Sequence, residues 1–502
     1  MGVCASTDES SAPHTMTPPL LRLPAELLQQ ILGHLCLSDL LSIGLVSRVL
    51  QDHTNQDILW QRLVQAEISG PAVSKPAHRT WRELFKEHHP YWFIAGKKLW
   101  FADNVHTGKL IVARYDHRLN AIEAYELVAE RRVPESLSWD QHPDAIIHTF
   151  SPRVKLDLNV PVVRLNSSAY EEGIGRVGHR LQKEIPMNLS RHTVLRSHLL
   201  LTRPWPENIT TEATPVWPPL TVPSVHRTRN DQSPSGFTQS GHKPGLLNQL
   251  STSTFRLRKW MQFATQSIRF NMRIGENIST WATLPEECYT PTRQKPWQGI
   301  WCGDYAGHGC EFLVVMQPDN PRPLPERAEW ALRAAEREES VSSEGSWTTA
   351  PTDAAHSDDE DGQMENADDL EDSVATLQQS YHERASESRG QGDAQQDGDA
   401  VYRGRIEAVK LTGDPNIPRG EYTFIAPDIG PNGLLRVASE EIFQGARIVR
   451  SVGHIAATGF RDDNYMASQL ILISHDRIAQ YWETFGHVSF YERVDIDSFT
   501  RV

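Results

Sequence analysis

Trp301, Tyr305, His308 and Glu311 place two aromatic rings, an imidazole and a carboxylate around the glycine-rich turn Ala306-Gly307-His308-Gly309. Aromatic anchors with a few convergent polar groups are the side chains that hold short peptides. His454, in Gly453-His454-Ile455-Ala456 just before Gly459-Phe460, adds a polar group of the same kind. These five residues form the candidate substrate-binding set.

Two other chemistries are excluded by spacing. Cys302, His308 and Cys310 give C-x5-H-x-C, without the close cysteine pair or the fourth ligand of structural zinc. Gly173-Ile174-Gly175-Arg176-Val177-Gly178 fits the dinucleotide pattern G-x-G-x-x-G. However, Asn166 to Glu172 separate it from the preceding strand pattern. Arg196, Ser197 and His198 stand where an acid would hold a ribose. No metal and no cofactor are expected. No nucleophile with its base has a recognisable local signature, so no catalytic residue is assigned.

The elements that carry the candidate set read as strands. Trp297–Gln317 forms two strands about the glycine turn. Val154-Lys155-Leu156-Asp157-Leu158 alternates strictly, as a half-buried strand does. Lys98–Ala102, Leu110–Tyr115, Val162–Leu165, Tyr422–Ile425, Leu470–Ile473 and Val488–Tyr491 read likewise. Another strand pattern begins at Tyr402, with Ile406 and Ala408. Gly453–Phe460 reads as a loop. Phe255–Met272, with Trp260, Phe263 and Phe270 along it, reads as a helix. No helical periods alternate with the strands, which favours an antiparallel sheet closed into a barrel or sandwich.

The amino-terminal part is helical instead. Pro24 suits a first helical turn. Leu27, Leu28, Ile31, Leu32 and Leu35 then form a broad apolar stripe. Ser38-Asp39 offers cap chemistry for a second helix with Leu40, Leu41 and Leu45. Ser47 offers it for a third, longer segment reaching Trp60 and Leu63. Three short helices cannot bury all of these side chains among themselves, so part of the stripe must face a partner. Thr80–His88, with Trp81, Leu84 and Phe85, is a further helix.

Composition sets the class. The apolar fraction is 39% and no stretch is long and apolar enough to span a bilayer. Five scattered cysteines give no disulfide framework, so a reducing compartment is expected. The net charge is −14, and residues 351–400 hold 15 acidic and 2 basic side chains, about −13 of that total. The remainder is near neutral, which argues against nucleic-acid binding. The acidic run lacks apolar surface and reads as disordered. Met1-Gly2-Val3-Cys4-Ala5-Ser6 fits the N-myristoylation pattern at Gly2, with Cys4 placed for a palmitoyl chain.

The helical module resembles the F-box, through Leu23-Pro24, Leu27-Leu28, Ile31-Leu32, Leu35, Asp39-Leu40-Leu41, Val46-Ser47-Arg48, Leu59-Trp60 and Leu63. The resemblance implies contact with the Skp adaptor, and through it with cullin and RING subunits. Its adaptor-binding residues would be Leu23, Pro24, Leu27, Leu28, Ile31, Leu32, Leu35, Leu40, Leu41, Val46, Trp60 and Leu63. His89-Pro90-Tyr91-Trp92, Leu99-Trp100-Phe101-Ala102-Asp103 and Arg114-Tyr115-Asp116 look like the region after the F-box in many fungal F-box proteins. Gly299–Phe312, Lys410–Pro418 and Gly453–Phe460 resemble blocks of the animal F-box only protein 31 family, whose β-domain selects substrates for ubiquitination.

The expected fold is therefore α+β: a small all-α F-box of three helices followed by a large antiparallel, barrel-like β-domain with disordered insertions. The expected boundaries are a tail at 1–20, the F-box at 21–66 and a helical linker at 67–96. The β-domain then runs in three parts, 97–205, 251–325 with a helix, and 401–502. A linker or loop at 206–250 and an acidic insertion at 326–400 interrupt it. The resemblance implies a non-catalytic substrate receptor of an SCF-type ubiquitin ligase that binds a degron for proteasomal degradation, located in cytoplasm and/or nucleus. The alternative is an F-box scaffold outside a ligase, at a membrane only if Gly2 and Cys4 are acylated.

Overall fold

The computed structural model describes residues 18–68, 72–102, 108–173, 180–187, 189, 195–204, 222–223, 243–264, 271–305, 309–342 and 401–502. Gly2, Cys4, His308, nearly all of the G-x-G-x-x-G run and the acidic run lie outside them. No helix among the described residues is long and apolar enough to cross a membrane.

The chain opens with helices α1 (Ala25–Leu32), α2 (Leu37–Gly44), α3 (Arg48–Thr54) and α4 (Asp57–Glu67). Pro24 precedes α1, and Ser47 caps α3 by accepting the Leu50 N–H at 3.3 Å. The long third segment divides at Asn55-Gln56 into α3 and α4. Leu28, Leu32, Leu40, Leu50 and Leu59 bury one another in a small core. Next come α5 (Trp81–His88) and α6 (Trp92–Gly96). Thr80 and Glu83 form a capping box on α5, which satisfies two backbone N–H groups at its start. Trp60 joins the two helical groups. Its indole donates to the Thr54 carbonyl at 2.9 Å and meets Phe85 edge-on at 5.5 Å.

Two sheets follow. The first is a nine-stranded sheet built from residues 99–282, with α7 (Ser167–Gly173) beside it. Strand alternation gives it two apolar faces. Trp100, Ile111 and Ala113 face Trp60, Phe85 and Trp92 of the helices. Leu99, Phe101, Leu110 and Val112 face Ile300, Cys302, Phe312 and Val314 on the outer wall of the second sheet. The first sheet thus lies between the helices and the second sheet.

The described residues of the span Phe255–Met272 are not helical. Thr254–Ala264 and Asn271–Ala282 are paired antiparallel strands, and Thr254–Ala264 also pairs with Leu195–Leu201. Phe255 and Leu257 enter the core while half-buried Arg258, the next residue along, takes the opposite face, a period of two that the spaced aromatics obscured.

The second sheet closes on itself. Its strands, in order around the barrel, are Gly299–Asp304, Cys310–Met316, Ile406–Lys410, Tyr422–Ala426, Arg447–Ala457, Arg461–Leu472, Arg477–Trp482 and His487–Val494. Pairing of Ile300 with Val494 and Gly303 with Tyr491 shuts the ring, which removes both sheet edges. Helix α8 (Glu326–Ser342) packs through Ala328 on Ile425, Val452 and Tyr465 of the outer wall. The chain leaves the barrel after Met316 and re-enters it at Ile406, so the acidic run is carried between two adjacent strands.

Gly453 is not in a loop either. It sits within the strand Arg447–Ala457, pairing with Met466 and Phe424, and only residues 458–460 turn the chain. A glycine is needed there because the Trp482 indole occupies the place of a side chain.

Candidate functional site

Parity along the strands sorts the barrel interior into layers. Trp301, Leu313, Ala408, Phe424, Val449, Leu470 and Ile478 fill one end. Trp301 is fully buried and donates to the Trp297 carbonyl at 3.0 Å. It plugs the barrel at the end away from the glycine turn.

Above this plug the interior becomes polar. Ser451 and Ser468 hydroxyls meet at 2.8 Å, Gln480 donates to Ser468 at 3.1 Å, and Tyr491 donates to Gln480 at 3.3 Å. Toward the glycine turn stands a charged group. Lys410 Nζ lies 2.8 Å from the Glu311 carboxylate, pairs with Asp414, and sits 4.3 Å from the centre of the Tyr305 ring. Tyr305 in turn donates to Thr423 at 3.1 Å. Asp414 also accepts the N–H groups of Asn416 and Ile417, both at 2.6 Å, which fixes the loop after Lys410.

Burial sets the protonation of this group. It pushes the Glu311 carboxyl up to about 7, although Lys410 draws it down. Burial would raise Asp414 as well. Lys410 and the two backbone donors outweigh it and hold Asp414 below its usual range. Near neutral pH both protonation states of Glu311 are therefore populated, while Asp414 stays ionised opposite Lys410.

The structure thus unites Tyr305 and Glu311 and adds Lys410, Asp414 and Thr423. Lys410 was visible in the sequence as a lysine in Ile406-Glu407-Ala408-Val409-Lys410-Leu411, with the parity of inward-facing Ala408. His454 stands elsewhere. It lies on the outer wall, stacked on Tyr465 at 4.4 Å, with Nδ1 3.0 Å from the Tyr422 carbonyl and Nε2 3.4 Å from Asp463. Asp463 also pairs with Arg327 of α8 at 3.2 Å, so His454 belongs to the seam between α8 and the barrel. Burial holds its imidazole below the ordinary histidine range. Among the described residues no cluster of three His, Cys, Asp or Glu side chains could hold a metal ion.

The other candidate surface lies on the first helices. Of the residues singled out there, Leu28, Leu32, Leu40 and Trp60 are buried and build the core. Leu23, Leu35 and Leu63 are partly buried, whereas Pro24, Leu27, Ile31, Leu41 and Val46 are exposed. Leu20, Leu45, Val49 and Ile58, absent from the sequence-derived set, are exposed too, with Leu45 86% exposed and Val46 72%. The helical period explains the split: one stripe is too wide for the small core to cover.

Two family models match the chain. One described as F-box-like covers residues 20–66, and one described as Cyclin D1 binding domain covers residues 281–498. The first coincides with α1–α4 and the second with the closed barrel and the segment leading into it. The chain has the architecture of F-box proteins of the F-box only protein 31 type, an F-box-like domain followed by a Cyclin D1 binding domain. No curated protein matches it. In this F-box protein the exposed aliphatic surface and the charged barrel end therefore fall in separate matched regions.

Proposed function

We propose that this chain is the substrate-recognition subunit of an SCF-type ubiquitin ligase. Its F-box binds the Skp adaptor, and its barrel binds a degron on a protein destined for ubiquitination and the proteasome. The observation that carries the reading is the aliphatic surface formed by Leu27, Ile31, Leu41, Leu45, Val46 and Val49 on helices whose own core is already complete. Exposed apolar area of this kind on a small module marks a protein interface. F-box proteins are in general non-catalytic adaptors, and the reading requires no bond-making residue here.

The degron site proposed is the polar end of the barrel, around Tyr305, Glu311, Lys410 and Asp414. Trp301 plugs the barrel below it, whereas His454 lies outside it in the seam with α8. The description of the matching family makes a D-type cyclin the first substrate to try. The test compares proteins that copurify with the wild-type chain and with a Leu45→Asp/Val46→Asp variant, with the proteasome inhibited. The adaptor should leave the variant while substrates accumulate on it unmodified. Retention of the adaptor by the variant would contradict the reading.

A further inference from the structure

Cys302 and Cys310 lie diagonally across the strand pair that carries Tyr305 and Glu311. Cys302 is opposite Phe312, and Cys310 is opposite Asp304. Both point to the outer wall, where Cys302 is buried and Cys310 is half-buried and packed against the same cluster. Their thiols are hydrogen-bonded to each other. That bond draws the Cys310 thiol below its ordinary range and, together with burial, pushes Cys302 up. Burial and the Asp304 carboxylate opposite Cys310 oppose its thiolate, and Arg131, paired with Asp304 at 3.0 Å, offsets them in part. The accessible thiol is thus the more acidic one, and the buried thiol waits beside it.

We propose that Cys310 and Cys302 are a peroxide-responsive pair that closes a reversible disulfide within the barrel hairpin. The Cys310 thiolate attacks hydrogen peroxide, forming an S–O bond and breaking O–O; the departing hydroxide takes a proton and leaves as water. The Cys302 sulfur then attacks the sulfenic sulfur, forming S–S, and the hydroxyl leaves as a second water with the Cys302 proton. The two thiols lose two electrons in all and the peroxide gains them. Diagonal positions lie farther apart than directly opposed ones, so closure must shear the hairpin. The residues beside the pair, Gly303 and Glu311, face the barrel interior, and the shear reaches the charged group there. The pair goes beyond the receptor role and does not depend on it.

The test uses the full chain, purified reduced, treated with hydrogen peroxide and then digested for mapping. Wild type should lose two of its five thiols, gain a Cys302–Cys310 cross-link, and recover both thiols with dithiothreitol. Cys302→Ser should lose Cys310 to sulfinic acid that dithiothreitol does not restore. Cys310→Ser, which keeps the buried thiol, should form no cross-link and leave Cys302 unreacted. Exposed Cys36 is the internal comparison. Irreversible oxidation of Cys310 in wild type at the rate seen in Cys302→Ser would overturn the proposal. So would a wild type in which Cys36 reacts and Cys310 does not.

Discussion

The indole of Trp482 lies where a side chain on Gly453 would begin, so two strands of the barrel meet through a ring on one and a bare backbone on the other. The ring is held by its hydrogen bond to Ser489 at 3.2 Å and has little freedom to retreat. Gly453→Ala should therefore overpack the barrel and cost about 1–3 kcal/mol, read as a lower midpoint in denaturant unfolding. The far end of a flexible side chain can yield to a new methyl group more easily than an indole anchored by a hydrogen bond.

That relationship also shows what the sequence could not disclose. A glycine between Val452 and His454 reads as a turn because nothing local reveals the ring that needs its space. The same holds at Phe255–Met272, where widely spaced aromatics suggest a helix until the pairing of Phe255 with Leu201 and Trp281 is known. Closure by Ile300 and Val494 is a contact between distant parts of the chain. What was legible is local: the leucine stripe, Ser47 as a cap, the helix around Thr80–His88 and the strict alternation near Val154. Leu27 and Leu28 are adjacent in sequence, yet one is exposed and the other buried. Only the partner helices decide which.

His88 and Glu311 should give opposite pH slopes. His88 is fully buried; its Nδ1 lies 2.9 Å from the Tyr170 hydroxyl and its Nε2 3.2 Å from Asn120 Oδ1. Asn120 turns its amide nitrogen to Glu87, so His88 Nε2 is the donor and Nδ1 accepts from Tyr170. Burial lowers its pKa from 6.5 to about 4. As pH falls through this window the unfolded chain takes the proton first and stability is lost, by up to about 3 kcal/mol.

Glu311 is raised from 4.5 to about 7, so the folded chain holds its proton longer and stability is lost as pH rises through that window. The two effects offset each other where they overlap. His88→Gln should leave a chain whose denaturant midpoint falls as pH rises from about 5 to about 7. Glu311→Gln should leave one whose midpoint rises over the same interval. Midpoints measured at several pH values separate them, and parallel slopes in the two variants would contradict the assignment.

Lys410 should matter more to folding than either acid beside it. It is 1% exposed, neutralises the buried Asp414 carboxylate and also pairs with Glu311. Lys410→Met leaves those groups without their cation, and losing one member of a buried pair costs about 3–5 kcal/mol. Adding Glu311→Gln and Asp414→Asn to Lys410→Met should recover much of that loss, because no unpaired charge then remains. Calorimetric unfolding of the single and triple variants checks this.

Truncations on the first helices should divide by burial. Leu28→Ala opens the small core and should cost about 2–5 kcal/mol. Trp60→Ala removes the ring joined to Phe85 and should cost about 3–5 kcal/mol. Leu45→Ala, at an 86% exposed position, should leave the unfolding midpoint within about 0.5 kcal/mol of wild type. Unfolding curves for the three variants make the comparison.

The most direct measurement is the affinity of the purified Skp adaptor for the full chain, wild type against Leu45→Asp/Val46→Asp, with folding of both confirmed by thermal unfolding. A charge in the centre of a docked apolar surface should weaken binding by roughly thirtyfold or more while the unfolding midpoint stays unchanged. Equal affinity for the two proteins would contradict the assignment of this surface, and with it the account of how the chain joins a ligase.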